Sequence, residues 1–183
     1  MRRALPWVLG AALVAGAGLV TAATPSDEDV VGPITIHGSA GEAVASRSII
    51  ATVTDATFAD EVAESHWSAE GNWLVITLDA SARSTEIDAK ITLATLTVDD
   101  RVFQASERPS TSLRGTALRV GTDTAGSLSF ELPAELDSGT AELALTPSYF
   151  TPELDDLVVI SIELDDLPRV PTVELVAPEW SAR

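Results

Sequence analysis

Between Ser46 and Leu164 runs of apolar residues at every second position are separated by turn residues, and no segment after the first thirty residues repeats at helical spacing. Successive side chains of a strand point to opposite faces, so a period of two means one face in a core and one toward water. That restricts the chain to an all-β fold. Strands are predicted at Ser48–Phe58, with Ile49, Ala51 and Val53 on one face, and at Asn72–Ala80, apolar on both faces and therefore central. Ile91–Val98 follows, with a phase slip between Leu93 and Leu96 that predicts a bulge. Asp99-Asp100 turns the chain into Arg101–Ala105, where Val102 or Phe103 points inward. Leu118 and Val120 begin a short strand; Leu128, Phe130 and Leu132 line the next, which Pro133 stops. Ala141–Tyr149 and Leu157–Leu164 complete the set. About seven short strands separated by turns predict an antiparallel β-sandwich, with a partly closed barrel as the other way to bury these faces.

The N-terminus reads differently. Arg2-Arg3 precede an uncharged run from Ala4 to Pro25, and Asp27-Glu28-Asp29 follow it. About 20 apolar residues span a bilayer, and basic residues stay on the cytoplasmic side. Residues 1–23 are thus expected to be a transmembrane anchor or a signal peptide. The length of the run favours an anchor with its N-terminus inside, and the small residues Val20–Ala23 suit cleavage and secretion instead. Thr24–Ala45, punctuated by Pro25, Gly32, Pro33, Gly38 and Gly41, reads as an extracytoplasmic linker. The sandwich is expected over 46–167 and an extended segment over 168–183.

Without the leader about 160 residues remain, enough for one domain with its own core. Setting aside Arg2 and Arg3 leaves nine of the eleven basic residues against 28 acidic ones, a net of −19. Such a field repels nucleic acid and anionic lipid. The absence of cysteine removes thiol catalysis, thiolate metal sites and disulfides, so an exported domain must rest on packing alone.

Several stretches resemble the bacterial immunoglobulin-like (telokin-like) extracellular domain family. They are Gly71-Asn72-Trp73-Leu74-Val75-Ile76-Thr77-Leu78, the hairpin Asp99-Asp100-Arg101-Val102-Phe103, and the spaced set Gly121, Gly126, Leu128, Phe130, Leu132 and Pro133. The resemblance covers Ser46–Leu167 and implies an immunoglobulin-like sandwich, membrane-anchored or secreted. It departs from the family at Asp100, where a glycine is usual, and lacks the asparagine that commonly ends the early strand. It implies no catalytic residues.

Constellations for chemistry are sparse. His37 and His66 stand in no metal-binding spacing. His37-Gly38-Ser39-Ala40-Gly41 lacks the strand and helix that a nucleophile elbow requires. Acidic pairs lie at strand ends, and Asp99, Asp100, Asp155 and Asp156 are the candidates for calcium between loops at one pole. The same residues serve as ordinary turn formers. No cofactor or metal is implied. In the tail, Pro168, Pro171 and Pro178 keep an alternating segment extended. It either adds a final strand to the parent sheet or offers itself to a partner's edge, with Leu175 and Trp180 as contact residues. The expected function is non-enzymatic: an accessory subunit contacting an envelope or integral-membrane protein, attached to the membrane through the N-terminal helix. A calcium- or ligand-binding exported module is the alternative.

Overall fold

The computed structural model describes residues 5–24, 32–87, 89–147 and 156–182. The chain divides into two compact units, Met1–Gly32 and Pro33–Arg183. In the first, α1 (Leu5–Ala23) is a helix without a charged residue, and the Thr21 and Thr24 hydroxyls donate back to the carbonyls of Ala17 and Val20. Among the described residues no helix is long and apolar enough to cross a membrane. Much of α1 is alanine and glycine, which carry little apolar surface, and this is where the expectation of a full span falls short.

The second unit holds eleven strands among its described residues: β1 (Ile34–Ser39), β2 (Val44–Ala45), β3 (Ile49–Glu64), β4 (Trp67–Ala82), β5 (Leu93–Val98), β6 (Arg101–Gln104), β7 (Thr122–Leu132), β8 (Thr140–Thr146), β9 (Asp156–Glu163), β10 (Arg169–Glu174) and β11 (Glu179–Ala182). One sheet runs β1-β9-β8-β5-β6 and the other β10-β3-β4-β7-β11, with β2 paired to the start of β3. Pairing is antiparallel except for β1 on β9 and β10 on β3.

The main core lies between the sheets, where the alternation places it. Leu74, Ile76 and Leu78 of β4 and Leu128, Phe130 and Leu132 of β7 meet Leu143, Leu145, Val158, Ile160 and Ile162 from the other sheet. Bulges in β3 after Val53 and Ala59 shift its phase, so Ile49, Ala51 and Val53 face inward first and Ala56 and Phe58 take over. The bulge expected in β5 is absent. Its pairing with β8 is regular because the buried set is Ala94, Leu96 and Val98, while Leu93 is half-buried on the other face. Leu118 is buried in a turn that forms only isolated bridges, and Val120 is exposed.

Two segments outside the expected bounds of the sandwich pair within its sheets. Ile34–Ser39, expected in the linker, pairs along β9 from Ile34↔Asp156 to Ser39↔Ser161. Gly38 makes that packing possible, since any Cβ there would collide with the Val44 side chain. Residues 169–174 and 179–182, bounded outside the sandwich as an extended segment, take the first of the two courses open to them and add strands to the parent sheet. At the β5–β6 hairpin both turn residues are left-handed, Asp99 at φ 48° and Asp100 at φ 60°, as a two-residue type I′ connection requires.

Candidate functional site

The outer face of the larger sheet cannot stay bare. β3 and β4 turn Ala59, Val62, Trp73 and Val75 away from the main core, and these are fully or almost fully buried. What covers them is the end of the chain. After β9 the backbone runs parallel to β3 as β10, with Phe58 N–H donating to Pro168 O at 2.9 Å and Leu175 N–H to Ala63 O at 2.7 Å. Pro171 is tolerated because β10 is an edge strand. Residues 175–178 then cross β4 and β7, and β11 pairs antiparallel to the far edge of β7 from Glu179↔Ala125 to Ala182↔Thr122. The tail is a strap that reaches from the distal half of β3 at one edge of the sheet to the start of β7 at the other.

Leu175 is the plug of this strap. It is 5% exposed and packs with Ala59, Val62, Trp73 and Val75, flanked by Trp67, Val170 and Val173. Beside it, between strap and sheet, lies a half-open apolar cavity of about 190 Å³. Trp180 behaves in the opposite way. It is 62% exposed, and the Arg119 guanidinium lies 4.1 Å from its ring centroid. Val120, 46% exposed, is held by its N–H to Glu86 Oε1 at 3.2 Å, and Ile87 beside Glu86 is also exposed. Gly121, at φ 74°, folds Arg119 back onto Thr122, next to where Ala182 pairs. Aromatic, arginine and aliphatic groups are thereby gathered at one end of β7.

Arginine over aromatic recurs on this sheet. Arg108 lies over Trp73 at 5.3 Å and pairs with Glu131; Arg169 lies over Phe58 at 5.0 Å and binds Asp60 at 3.0 Å and Asn72 Oδ1 at 2.8 Å. Trp73 Nε1 is buried without a hydrogen-bond acceptor, against Gly71, where any Cβ would come within 3.0 Å of it. At the tip of the β3–β4 hairpin, Glu64 receives the amides and hydroxyls of Ser110 and Thr111 at 2.9–3.3 Å. The Ser110 amide is the main reason that the Glu64 carboxyl titrates below the ordinary glutamate value; desolvation opposes it and the other three donors reinforce it.

No protein-family model matches the chain, and no curated protein matches it. Among solved structures, a "putative lipoprotein" from Staphylococcus aureus subsp. aureus NCTC 8325 is 13% identical, with 75% of this chain aligned to 97% of that one at a TM-score of 0.49. An uncharacterised β-sandwich protein from Clostridium difficile 630 is 10% identical, with 76% of this chain aligned to 100% of that one, also at 0.49. At that similarity neither carries weight for function. The sandwich stands on its own strand pairing.

The predicted contact residues Leu175 and Trp180 fall on the same strap but in opposite environments, one buried and one exposed. The candidate calcium carboxylates do not converge. Asp99 and Asp100 follow Val98, which pairs through Ala141 to Ile162 near the end of β9, whereas Asp156 opens β9. The two ends lie roughly 20 Å apart at about 3.4 Å per residue. Asp156 is buried, accepting Ser48 N–H at 3.0 Å and the Ser48 hydroxyl at 3.3 Å, with Arg47 Nε at 3.7 Å. Asp155 lies outside the described residues, among which no group of three or more metal-binding side chains forms. His37 and His66 are exposed, on β1 and at the β3–β4 turn. Arg119 and Glu64 escaped the sequence reading because their partners are distant in the chain and no spacing announces them.

Proposed function

We propose that this protein is a non-enzymatic, exported immunoglobulin-like sandwich that makes protein–protein contacts in the cell envelope as an accessory subunit. Its uncharged N-terminal helix, Leu5–Ala23, delivers it there as an export signal. The observation that carries this reading is the exposed Trp180 with Arg119 stacked on it and Val120 alongside. Tryptophan and arginine dominate the energetics of protein interfaces, and a half-exposed tryptophan prepared by a cation is a ready anchor. The immunoglobulin-like assignment is supported by strand order. Taking β3, β4, β5, β7, β8 and β9 as strands A, B, C, E, F and G reproduces the pairings A–B, B–E, C–F and F–G of that fold without strand D. The cysteine pair of antibody domains is missing, and Trp73 packs outside the main core.

The test places a photo-crosslinking amino acid at Val120 and, as control, at the exposed Gln104 of β6, in native membranes. A single crosslinked envelope protein from Val120 only, lost in Trp180→Ala, is the expected result. Equal yields from both positions, or no dependence on Trp180, would reject the patch. Mass spectrometry of the recovered chain also reports whether residues 1–23 remain attached, separating an anchored protein from a secreted one.

A further inference from the structure

The cavity beneath the strap differs in chemistry from the rest of this acidic surface. Its floor is Val75 and Thr77 of β4 with Ala125 and Ser127 of β7, and its roof is Leu175 and Val176. Two exposed carboxylates, Glu174 and Glu179, also border it, and no basic side chain does. Neither carboxylate has a side-chain hydrogen bond or ion pair among the described residues, and the same holds for the Thr77 and Ser127 hydroxyls. At about 190 Å³ the space exceeds the roughly 150 Å³ cavity that accommodates benzene in an engineered protein core.

We propose that this cavity is a binding site for a small amphipathic cation: an amine carried on an aromatic or branched aliphatic body about the size of a phenyl ring. The apolar body replaces water against Val75, Ala125, Leu175 and Val176, where burial is favourable in proportion to area. The ammonium group is then left at the border with the exposed Glu174 and Glu179, in a solvent-screened attraction that added salt weakens. A carboxylate on the same body meets the same two glutamates and the net negative charge of the domain, so charge sets the selectivity. A ligand here also bridges strap and sheet, and so stabilises β11 against release from β7. The site is separate from the Trp180 patch, and its failure leaves the partner reading untouched.

The experiment is calorimetric titration of the full chain with 2-phenylethylamine, 2-phenylethanol and 3-phenylpropionate at neutral pH and low salt. The expected order is amine first, alcohol next, and carboxylate without measurable binding. In the double variant Glu174→Gln/Glu179→Gln the amine weakens by about three- to tenfold, to the level of the alcohol, and the same loss appears in wild type at high salt. Ala125→Phe fills the cavity from β7 and abolishes binding of both amine and alcohol, while its melting curve verifies folding. If Ala125→Phe distorts the sheet, amide shifts of Thr77 and Ser127 on titrating wild type locate the site directly. Equal binding of amine and carboxylate, amine affinity unchanged in the glutamine variant, or shifts elsewhere would each overturn the proposal.

Discussion

Leu175 and Trp180 sit five positions apart on one strap, and truncating each should separate stability from recognition. Leu175→Ala removes three carbon groups from a side chain that is 5% exposed and touches Ala59, Val62, Trp73 and Val75. At about 0.8 kcal/mol per buried carbon the transfer loss is roughly 2.4 kcal/mol. The void left behind adds to this, but the plug sits on an edge-to-edge strap beside an existing cavity, where the backbone can settle inward. The cost therefore belongs at the low end of the 2–5 kcal/mol range for such truncations, about 2–3 kcal/mol. For a domain of this size that lowers Tm by about 5–10 °C. Trp180→Ala forfeits an exposed ring and one cation–π contact, worth about 0.5–1 kcal/mol, so its Tm should fall by no more than about 3 °C. Scanning calorimetry of the two variants against wild type measures both, and the fluorescence of Trp73 should shift to the red only in Leu175→Ala. A melting point for Leu175→Ala within a degree of wild type would show that the strap does not seal the sheet. A large loss in Trp180→Ala would show that its ring is structural and not a contact surface.

Three further outcomes follow from the geometry. Asp100→Gly relieves a left-handed conformation that costs an L-residue about 1–2 kcal/mol and gives back about half of that as chain entropy, so the midpoint of urea unfolding should rise by the equivalent of about 0.5–1 kcal/mol. Asp156→Ala leaves the Ser48 amide without its charged acceptor, and the same assay should register a loss of about 1.5–3 kcal/mol whether or not calcium is present. Glu64 titrates below the unfolded glutamate value, so its tie to the 110–111 loop is fully present above that value and is lost as pH falls through the lowered one. Amide shifts of Ser110 and Thr111 should follow that acid titration and be flat in Glu64→Gln; titration at the ordinary glutamate value would contradict the bond network.

What the sequence made legible was the inner face of the sandwich. Large side chains on a strict period of two, as in Leu74–Leu78, Leu128–Leu132 and Val158–Ile162, can satisfy their burial in only one way. Ala94 broke the reading of β5 because a methyl group weighs little in a pattern while filling a core position fully. The outer halves of β3 and β4, residues 59–64 and 67–71, were hidden for a related reason. Small and charged residues there do not alternate, and their extension is stabilised by β10 and the Glu64 contacts, which are distant in sequence. Ile34–Ser39 was mistaken for linker because its glycine and proline neighbours advertise a break, whereas Gly38 is needed for close packing on Val44. At the candidate site the tail's alternation was visible, but which of its residues faced in depended on Val62 and Trp73 being uncovered, a property of the folded sheet.

The strap also has a place in time. A chain emerges from the ribosome in order, and β10 and β11 follow the other nine described strands. Until they dock, the distal half of β3 and the first residues of β7, Thr122–Ala125, carry unpaired amides and carbonyls, the kind of edge from which sheet-to-sheet aggregation starts. Docking joins Thr172 to Glu61 across 111 residues, a loop closure that comes late by its length alone. The unfinished domain therefore keeps adhesive edges until the strap docks, and the same few residues that add to its larger sheet also cover them.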